Sequence, residues 1–564
     1  MAENTFYAAG RPSAEHHYDI LIAGAGFGGA LTALLLHSRG FSVCLVEKGR
    51  HPRFAIGESS TPIADLLLRD LSTRYNLPWL YPFSRYGSWQ EAHPEIICGI
   101  KRGFSYFKHY PGKEFVTDAV HSQELLVAAS ASDRLSDTNW LRADFDAFLV
   151  EQVKAAGIAY LDLTDIVSAE RTGHWTFRAE RKDGGANTAA ASGSNGGSDA
   201  AAASGAAGPV TITASFFIDA TGGGGLLEKL LGVRSSADDF YTDSYGLFSH
   251  FDDLPRWTEL LAGANIATGD FPYDPDHSAL HHVLDEGWIW VLRFNDRRTS
   301  LGFALDARRM PPGGGPPQEQ WEQLLQQYPS IGRLLEGVAL SSVPGKLIRS
   351  GRLQRKTERA SGPGWAALPH TAGFVDPLFS SGIAHSLTGI RRLTGMLEEH
   401  WDDPDALQAG LNDYERAVFT ELRLIDKLVA GCYLAMPHFG LFQAWSMLYF
   451  AATITCEQRL LRGEQGGYFL GADNPAILAM VEECWDALLP LCGEGQGADH
   501  RQAAGDGHSP GAASFPVESS RSAPSSEEVC RFTELVREKI APFNTAGLME
   551  PGARNMYRHT VAVL

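Results

Sequence analysis

The sequence predicts an α/β chain: a Rossmann-like doubly wound domain with an inserted β-sheet and a C-terminal helical region. Three observations carry this expectation. An apolar run, Tyr18 to Ala23, leads straight into the turn Gly24-Ala25-Gly26-Phe27-Gly28-Gly29. A helical stretch, Gly29 to Ser38, and a second apolar run, Phe41 to Glu47, complete a βαβ opening. Late in the chain the apolar spacing becomes helical, over Ile383 to His400, Asp413 to Leu434 and Phe442 to Leu461.

The opening unit has the form of a dinucleotide-binding site. Gly24, Gly26 and Gly29 fit GxGxxG. The first glycine permits a tight turn, the second lets backbone N–H groups near Ala25 and Gly28 approach a pyrophosphate, and the third lets the helix pack on the strand. The helix N-terminus adds partial positive charge. Glu47, followed by Lys48, closes the second strand at the spacing from which a carboxylate accepts hydrogen bonds from a ribose diol.

Bulk properties narrow the class. The chain has 564 residues, 44% of them apolar, and a net charge of −19. An acidic balance of this size argues against nucleic acid as a partner and favours a soluble protein with a small ligand. Seven scattered cysteines without a CxxC pair point to a reduced, cytoplasmic setting and to no structural metal. Residues 1–17 read as a polar tail that lacks the apolar stretch of a signal peptide.

Leu428 to Cys456 contains no Asp, Glu, Lys or Arg, but Pro437, His438, Gly440 and Gln443 interrupt it. The segment is therefore expected to form two buried or lid-forming helices joined at Met436 to Gly440. Membrane association is not expected, shallow attachment being the alternative.

The remaining chain divides by composition. Asp144 to Ala156 reads as a helix with Asp144 as its N-cap. Trp175 to Arg181 and Val210 to Phe217 read as strands. The Gly/Ala/Ser-rich residues 183–209 between them are an expected disordered insertion in a hairpin loop. His281 to Phe303 reads as two strands around a turn at Asn295 to Arg298. The expected organisation is a discontinuous cofactor domain with the inserted substrate domain over 18–395, helices over 396–492, a disordered linker over 493–526, and a last helix (Glu527 to Ile540) and tail over 527–564.

Further motifs carry a family resemblance. Ile218-Asp219-Ala220-Thr221-Gly222 resembles the second dinucleotide motif of the FAD-dependent monooxygenase and halogenase superfamily. The segment Arg53 to Pro62, with Gly57-Glu58-Ser59, resembles the GES loop of the flavin-dependent halogenases. Ala372 to Ile383 resembles their AGFxDPxFSSG segment, and Gly287-Trp288-Ile289-Trp290 the first half of their GWxWxIP signature. From about Tyr18 to Leu393 the chain thus resembles the tryptophan-halogenase-like family.

The resemblance implies FAD, used as FADH2 from a separate flavin reductase, and an electron-rich aromatic substrate, free or carrier-bound. It implies that O2 and halide yield hypohalous acid, which an active-site lysine activates. Lys101 is the candidate, with Lys108 as a competitor and with Glu58 and Ser59 beside it. Cofactor contacts are implied for Gly24, Ala25, Gly26, Gly28, Gly29, Glu47, Lys48, Asp219, Gly222, Asp376, Gly382 and Ile383. A Ser-Ser-Gly turn entering a helix presents unpaired N–H groups. The amides of Ser381 and Gly382 are accordingly the implied halide site, or else they approach the flavin's pyrimidine edge.

Three departures matter. Leu292-Arg293 replaces the expected Ile-Pro, which leaves hydroxylation open. Pro369-His370 replaces Gly-Asp. Phe379 stands where tryptophan halogenases carry glutamate, which points to phenol, pyrrole or carrier-bound substrates. The alternatives are a flavin monooxygenase (hydroxylase), a reductase of an apolar substrate, or a flavoprotein that binds a partner without turnover. Arg142 is expected in a helix-start salt bridge or near the flavin. Phe442, Trp445, Tyr449 and Phe450 are candidates to line the substrate pocket.

Overall fold

The computed structural model describes residues 17–183, 207–464, 466–493 and 523–558. The opening is a βαβ unit: β1 (His17–Ala23), α1 (Phe27–Ser38) and β2 (Val43–Val46). β1 lies between β2 and the long strand Gly208–Asp219, parallel to both. The strands Ala159–Leu161 and Trp365–Ala367 extend this parallel sheet outward. One sheet thus gathers segments from across the chain and places the ends of β1 and of Gly208–Asp219 side by side.

β2 stops short of the expected Glu47 because that residue turns its carboxylate back into the glycine loop. Glu47 Oε2 accepts the Ala25 N–H at 2.8 Å and Oε1 the Gly49 N–H at 2.8 Å.

The chain continues through α2 (Pro62–Arg74), β3 (Cys98–Lys101), β4 (Gly103–Lys108), β5 (Glu124–Ala128), β6 (Asp137–Trp140) and α3 (Arg142–Ala155). β3 and β6 form a separate two-stranded ladder in which Lys101 faces Asp137. β4 and β5 join the second large sheet, together with Ser244–Asp252, Ala279–Val283, Gly287–Arg293 and Arg298–Asp306. Its edge beyond β5 is closed by Met556–Tyr557.

Two differences from the sequence expectation arise here. His281 belongs to a strand of its own, Ala279–Val283, which folds back on Gly287–Arg293 through a turn closed by Leu284 N–H to Gly287 O at 2.8 Å. The expected turn at Asn295 to Arg298 is present, closed by Phe294 N–H to Arg298 O at 2.9 Å. Asp144 does not cap α3. The Trp140 N–H is held by Glu58 O, so the backbone leaves the strand at Leu141, which becomes the N-cap. Asp144 then sits in the first helical turn, where its charge suits the helix dipole.

The helical region consists of α4 (Ser381–His400), α5 (Pro404–Ala435) and α6 (Phe439–Leu461), with α7 (Ser526–Ile540) packed on α6. α5 begins at Pro404 rather than Asp413. Asp403 caps it through the N–H groups of Asp405 and Ala406 at 3.2 and 3.1 Å, and proline suits the first turn. The charge-free stretch breaks at Met436-Pro437-His438 as expected, and both helices are buried there. Among the described residues α6 alone is long and apolar enough to cross a membrane, and most of it is covered by protein.

The hairpin reading of the Gly/Ala/Ser-rich segment is retained at its base, where Arg181 pairs with Gly208. Pro209 already lies within the strand, and residues 184–206 lie outside the described residues, as do 494–522 of the expected linker. Residues 1–16 and 559–564 also lie outside them, and His17 belongs to β1 rather than to the tail. Ser526 opens α7, with Ser525 as its cap.

A buried ion cluster locks α4 to α5. Glu421 accepts from Arg392 Nη2 at 2.7 Å, from the Phe469 N–H at 2.8 Å and contacts His385 Nε2 at 3.1 Å. Burial raises its carboxyl, but the Arg392 guanidinium and His385 outweigh this and hold it down to about 2. A carboxylate depressed in this way stabilises the fold above its unfolded value, and the contribution is lost as pH falls toward 2. Glu421→Gln is expected to cost about 3–5 kcal/mol at neutral pH, because Arg392 loses its partner while buried. The deficit should shrink on acidification, read as converging melting temperatures of variant and parent. A constant gap in Tm down to the acid limit would contradict this.

Candidate functional site

The glycine loop is shaped for close approach. A Cβ at Gly24 would stand 2.6 Å from Ala220 O, and one at Gly29 1.9 Å from Gly24 O, so loop, helix and the Asp219 strand end touch through bare backbone. Beside them lies a cavity of about 390 Å³ whose walls include Gly24, Glu47, Lys48, Arg53, Thr221 and Asp165. Asp219 fixes the second turn, its Oδ1 accepting the Thr221 N–H at 2.8 Å and hydroxyl at 2.7 Å. Gly222 donates its N–H to Thr371 Oγ1 at 3.0 Å.

Two arginines converge on the start of α1. A Cβ at Gly26 would meet Arg142 Nη2 at 3.5 Å and Arg53 Nη2 at 3.7 Å. Arg142 is braced by Asp146 at 2.8 and 2.9 Å, so the expected helix-start salt bridge and proximity to the glycine loop hold together. Arg53 Nε is buried without a hydrogen-bond partner. Unpaired helix N–H groups, two guanidinium ions and a cavity bordered by Glu47 fit the pyrophosphate and ribose of FAD. Arg53 was not singled out as a ligand from the sequence, because it precedes the GES loop and resembles any surface arginine there. Arg53→Ala is expected to weaken FAD binding about 10- to 100-fold, the worth of a charge-assisted hydrogen bond, as read by flavin fluorescence titration.

His370 occupies the place of the family's carboxylate. Its Cε1 would be 2.7 Å from a Cβ on Gly28, and Nε2 lies 3.2 Å from Ala220 O. A carbonyl can only accept, so Nε2 carries the proton. Burial pushes the imidazole down to about 4, and it is neutral at physiological pH. Asp376 lies elsewhere. It is buried, with its carboxylate engaged by Ser244 Oγ at 2.7 Å, Tyr433 OH at 2.8 Å and the Leu378 N–H at 3.0 Å. It ties the second sheet to α5 and is not among the groups around the glycine loop.

A second group of predicted residues comes together at the GES loop. Ser59 Oγ lies 3.0 Å from Ser380 Oγ, which joins this loop to the start of α4. Ser380 is the N-cap, in a left-handed conformation at φ 51°, so the N–H groups of Ser381, Gly382 and Ile383 open the helix without intrahelical acceptors. Ser60 is strapped to β6 by N–H to Thr138 O at 3.0 Å and by its Oγ, which accepts the Thr138 N–H at 3.2 Å. Lys101, from the neighbouring strand, donates Nζ to Ser60 O and sits 4.1 Å from the Phe104 ring centroid. It is fully buried. Burial lowers its ammonium to about 8, against the opposing pull of Asp137 and Asp65.

The competitor Lys108 pairs with Asp285 at 2.6 Å at the far end of β4, away from the serines. Glu58 turns to His250 Nε2 at 2.9 Å, and no hydrogen bond joins it to Lys101.

The Trp pair and its successor are accounted for by packing. Trp288 Nε1 donates to Tyr433 OH and Trp290 Nε1 to Ser300 Oγ, both at 3.1 Å. Arg293 donates to Asp276 at 2.9 Å and to Leu254 O at 2.7 Å, which gives the departure from Ile-Pro a structural role. Above Lys101 stands an aromatic wall. Phe104, Tyr106 and His281 stack in series, and Tyr449 stacks on Phe379 at 4.1 Å and donates to its carbonyl at 2.9 Å. Of the four aromatics expected near the pocket, Phe442, Tyr449 and Phe450 face this wall, whereas Trp445 packs on Trp485.

The tryptophan halogenase family matches residues 204–438, and the NAD(P)-binding Rossmann-like domain matches residues 22–91. Monodechloroaminopyrrolnitrin halogenase PrnC of Pseudomonas fluorescens is 28% identical over 474 residues, covering 80% of this chain and 74% of that protein. The tetracycline 7-halogenase of Kitasatospora aureofaciens is 25% identical over 508 residues, covering 84% and 82%. By family model and by relatives alike, the chain is similar to the flavin-dependent halogenases. The fold agrees: halogenase PltM, solved with phloroglucinol and FAD, superposes with a TM-score of 0.76 at 22% identity, over 97% of this chain and all of that one. The family's cofactor is a flavin, and the glycine loop, arginines and cavity described above fit FAD.

Proposed function

We propose that this protein is a two-component halogenase that takes FADH2 from a separate reductase and halogenates an electron-rich aromatic ring, with Lys101 as its activating residue. The observation that carries the proposal is a buried lysine ammonium directed at the loop that touches the start of α4. Bound FADH2 would supply, with O2 and halide, hypohalous acid. Ser60 O and the Phe104 ring hold the Lys101 ammonium in place. Lys101 donates a hydrogen bond to the oxidant's oxygen and so makes its halogen more electrophilic. The amides of Ser381 and Gly382 suit the halide, and Gly382 and Ile383 the flavin edge.

Glu47, Lys48 and Arg53 border the nucleotide cavity, and Gly24 to Gly29 with Arg142 receive the pyrophosphate. The aromatic wall suits a planar ring, and Phe379 adds an apolar side chain rather than a carboxylate beside it. One relative, a 1H-pyrrole-2-carbonyl-[peptidyl-carrier protein] chlorinase of Pseudomonas fluorescens, is 22% identical over 71% of this chain, so a carrier-bound substrate belongs in the test. No disulfide joins the described cysteines, and a reduced, cytoplasmic setting is part of this proposal.

The test is turnover with FAD, a flavin reductase, NADH, O2 and bromide or chloride, against phenols, indoles and pyrroles, free and carrier-bound. A product with the halogen isotope pattern is expected. A product gaining only oxygen would replace halogenation by hydroxylation. Halogenation should also fall as pH rises through about 8, where Lys101 loses the proton it donates. A rate that stays level from pH 7 to 10, with flavin reduction held in excess, would contradict this assignment of the lysine.

A further inference from the structure

Lys101 is enclosed by carboxyl groups to which the halogenation chemistry above gives no role. Asp137 is its direct partner across the β3–β6 ladder. Asp65, in the first turn of α2, lies near enough to Asp137 for the two charges to repel, and like charges so placed disfavour double ionisation.

Glu457 joins from α6. It lies two helical steps of four from Tyr449, with Thr453 between them, on the face that reaches Phe379. All three acids are at least 97% buried, with exposures of 2% for Asp65, 2% for Asp137 and 3% for Glu457. Asp65 Oδ1, Asp137 Oδ2 and Glu457 Oε2 have no hydrogen-bond partner in the protein, nor does either end of the Asn139 amide beside them. The other charged or titratable groups facing the set are Arg69 from α2, with Arg85 beyond it, and Cys456 and Tyr449 from α6. Two buried acids beside one lysine, and a third that acts on Asp137, leave open lone pairs where protons can be held and exchanged.

The reaction needs such a place. When ArH reacts with HOX, the C–X bond forms as O–X breaks, and the departing hydroxide leaves as water after taking a proton from Lys101. The ring carbon then loses its proton, and the lysine must regain one before the next turnover.

We propose that Asp65, Asp137 and Glu457 act as a proton store for Lys101, returning to it the proton lost to the departing hydroxide and receiving the proton released by the ring. These are positioning and relay residues that act through the lysine, and the proposal rests on Lys101 having the role given above. Burial raises all three carboxyls above their ordinary range.

The test uses the full enzyme with its reductase and the isosteric variant Glu457→Gln. Expected are a fall in kcat of about 10²-fold, the lower end of general acid–base effects, with KM and FAD affinity unchanged. The alkaline limb of the kcat profile should move about one unit toward lower pH, because the set loses a titrating member. The solvent isotope effect on kcat should rise as reprotonation becomes limiting, and Glu457→Asp should restore part of the rate. An unchanged kcat, or a loss equal at every pH with no change in isotope effect, would overturn the proposal. Lys101→Ala serves as the control. If it still halogenates, the lysine reading has failed, whereas an inactive Lys101→Ala beside a Glu457→Gln variant with the parent's pH profile means that only the proton store has failed.

Discussion

Lys101→Ala is expected to lower halogenation by about 10³-fold or more while the flavin still binds. The magnitude follows from two losses at one atom: the donor that polarises the oxidant and the proton that leaves with hydroxide. A preorganised donor in a dry site is worth far more than the same group in water, and this one is fully buried and aimed by Ser60 O. The substitution also removes the only cation in direct ladder contact with Asp137, so the acids left behind will take up protons to stay neutral. Thermal stability should therefore fall modestly rather than collapse. Lys101→Arg is not expected to rescue turnover, since a planar guanidinium that never deprotonates cannot hand over a proton. The readings are product by mass spectrometry, flavin Kd by fluorescence, and Tm. Halogenation by Lys101→Ala within tenfold of the parent rate would remove the lysine from the chemistry.

The second large effect is expected at Gly29. Its missing Cβ would lie 1.9 Å from Gly24 O and 3.1 Å from Ala220 Cβ, inside the contact between α1 and the strand end. Neither neighbour can withdraw, because Gly24 is itself packed on Ala220 O. Gly29→Ala should cost about 4 kcal/mol or more and yield little soluble, flavin-loaded protein. Gly40 provides the contrast. It has φ 91° with nothing within 4 Å of an added methyl, so Gly40→Ala should cost about 1–2 kcal/mol of backbone strain and leave flavin affinity unchanged. Equal behaviour of the two variants would mean that the glycine loop is not the tight contact described.

The sequence made the nucleotide end legible because its signal is local. Gly24, Gly26 and Gly29 recur within six residues of one turn, and Glu47 follows at a fixed distance along a βαβ unit. Lys101 is singled out by its neighbours' resemblance rather than by any property of a lysine on a strand. What surrounds it is not. Asp65 resembles an ordinary first-turn acid of an amphipathic helix, Asp137 an acid at the start of a strand, and Glu457 the first charge after an apolar run. Their meeting depends on three elements separated by about 70 and 320 residues coming together around one side chain, and no spacing rule encodes that. Asp376, which a motif places at the cofactor, is engaged by Ser244 and Tyr433, contacts that no motif shows. Arg293 likewise departs from a family signature for the sake of a buried ion pair with Asp276.

The ladder between Met556–Tyr557 and β5 has a bearing on how the protein is made. β5 borders β4 in the sheet that carries Phe104 and Tyr106, and its outer edge is covered by those two late residues, with the Leu126 N–H bonded to Asn555 O at 2.9 Å. During synthesis that edge emerges from the ribosome more than 400 residues before its cover. For most of translation β5 is an unprotected strand edge, open to pairing with another nascent chain on the same message. Chaperone occupancy of that interval, rather than the stability of the finished fold, would then govern how much soluble enzyme a cell obtains.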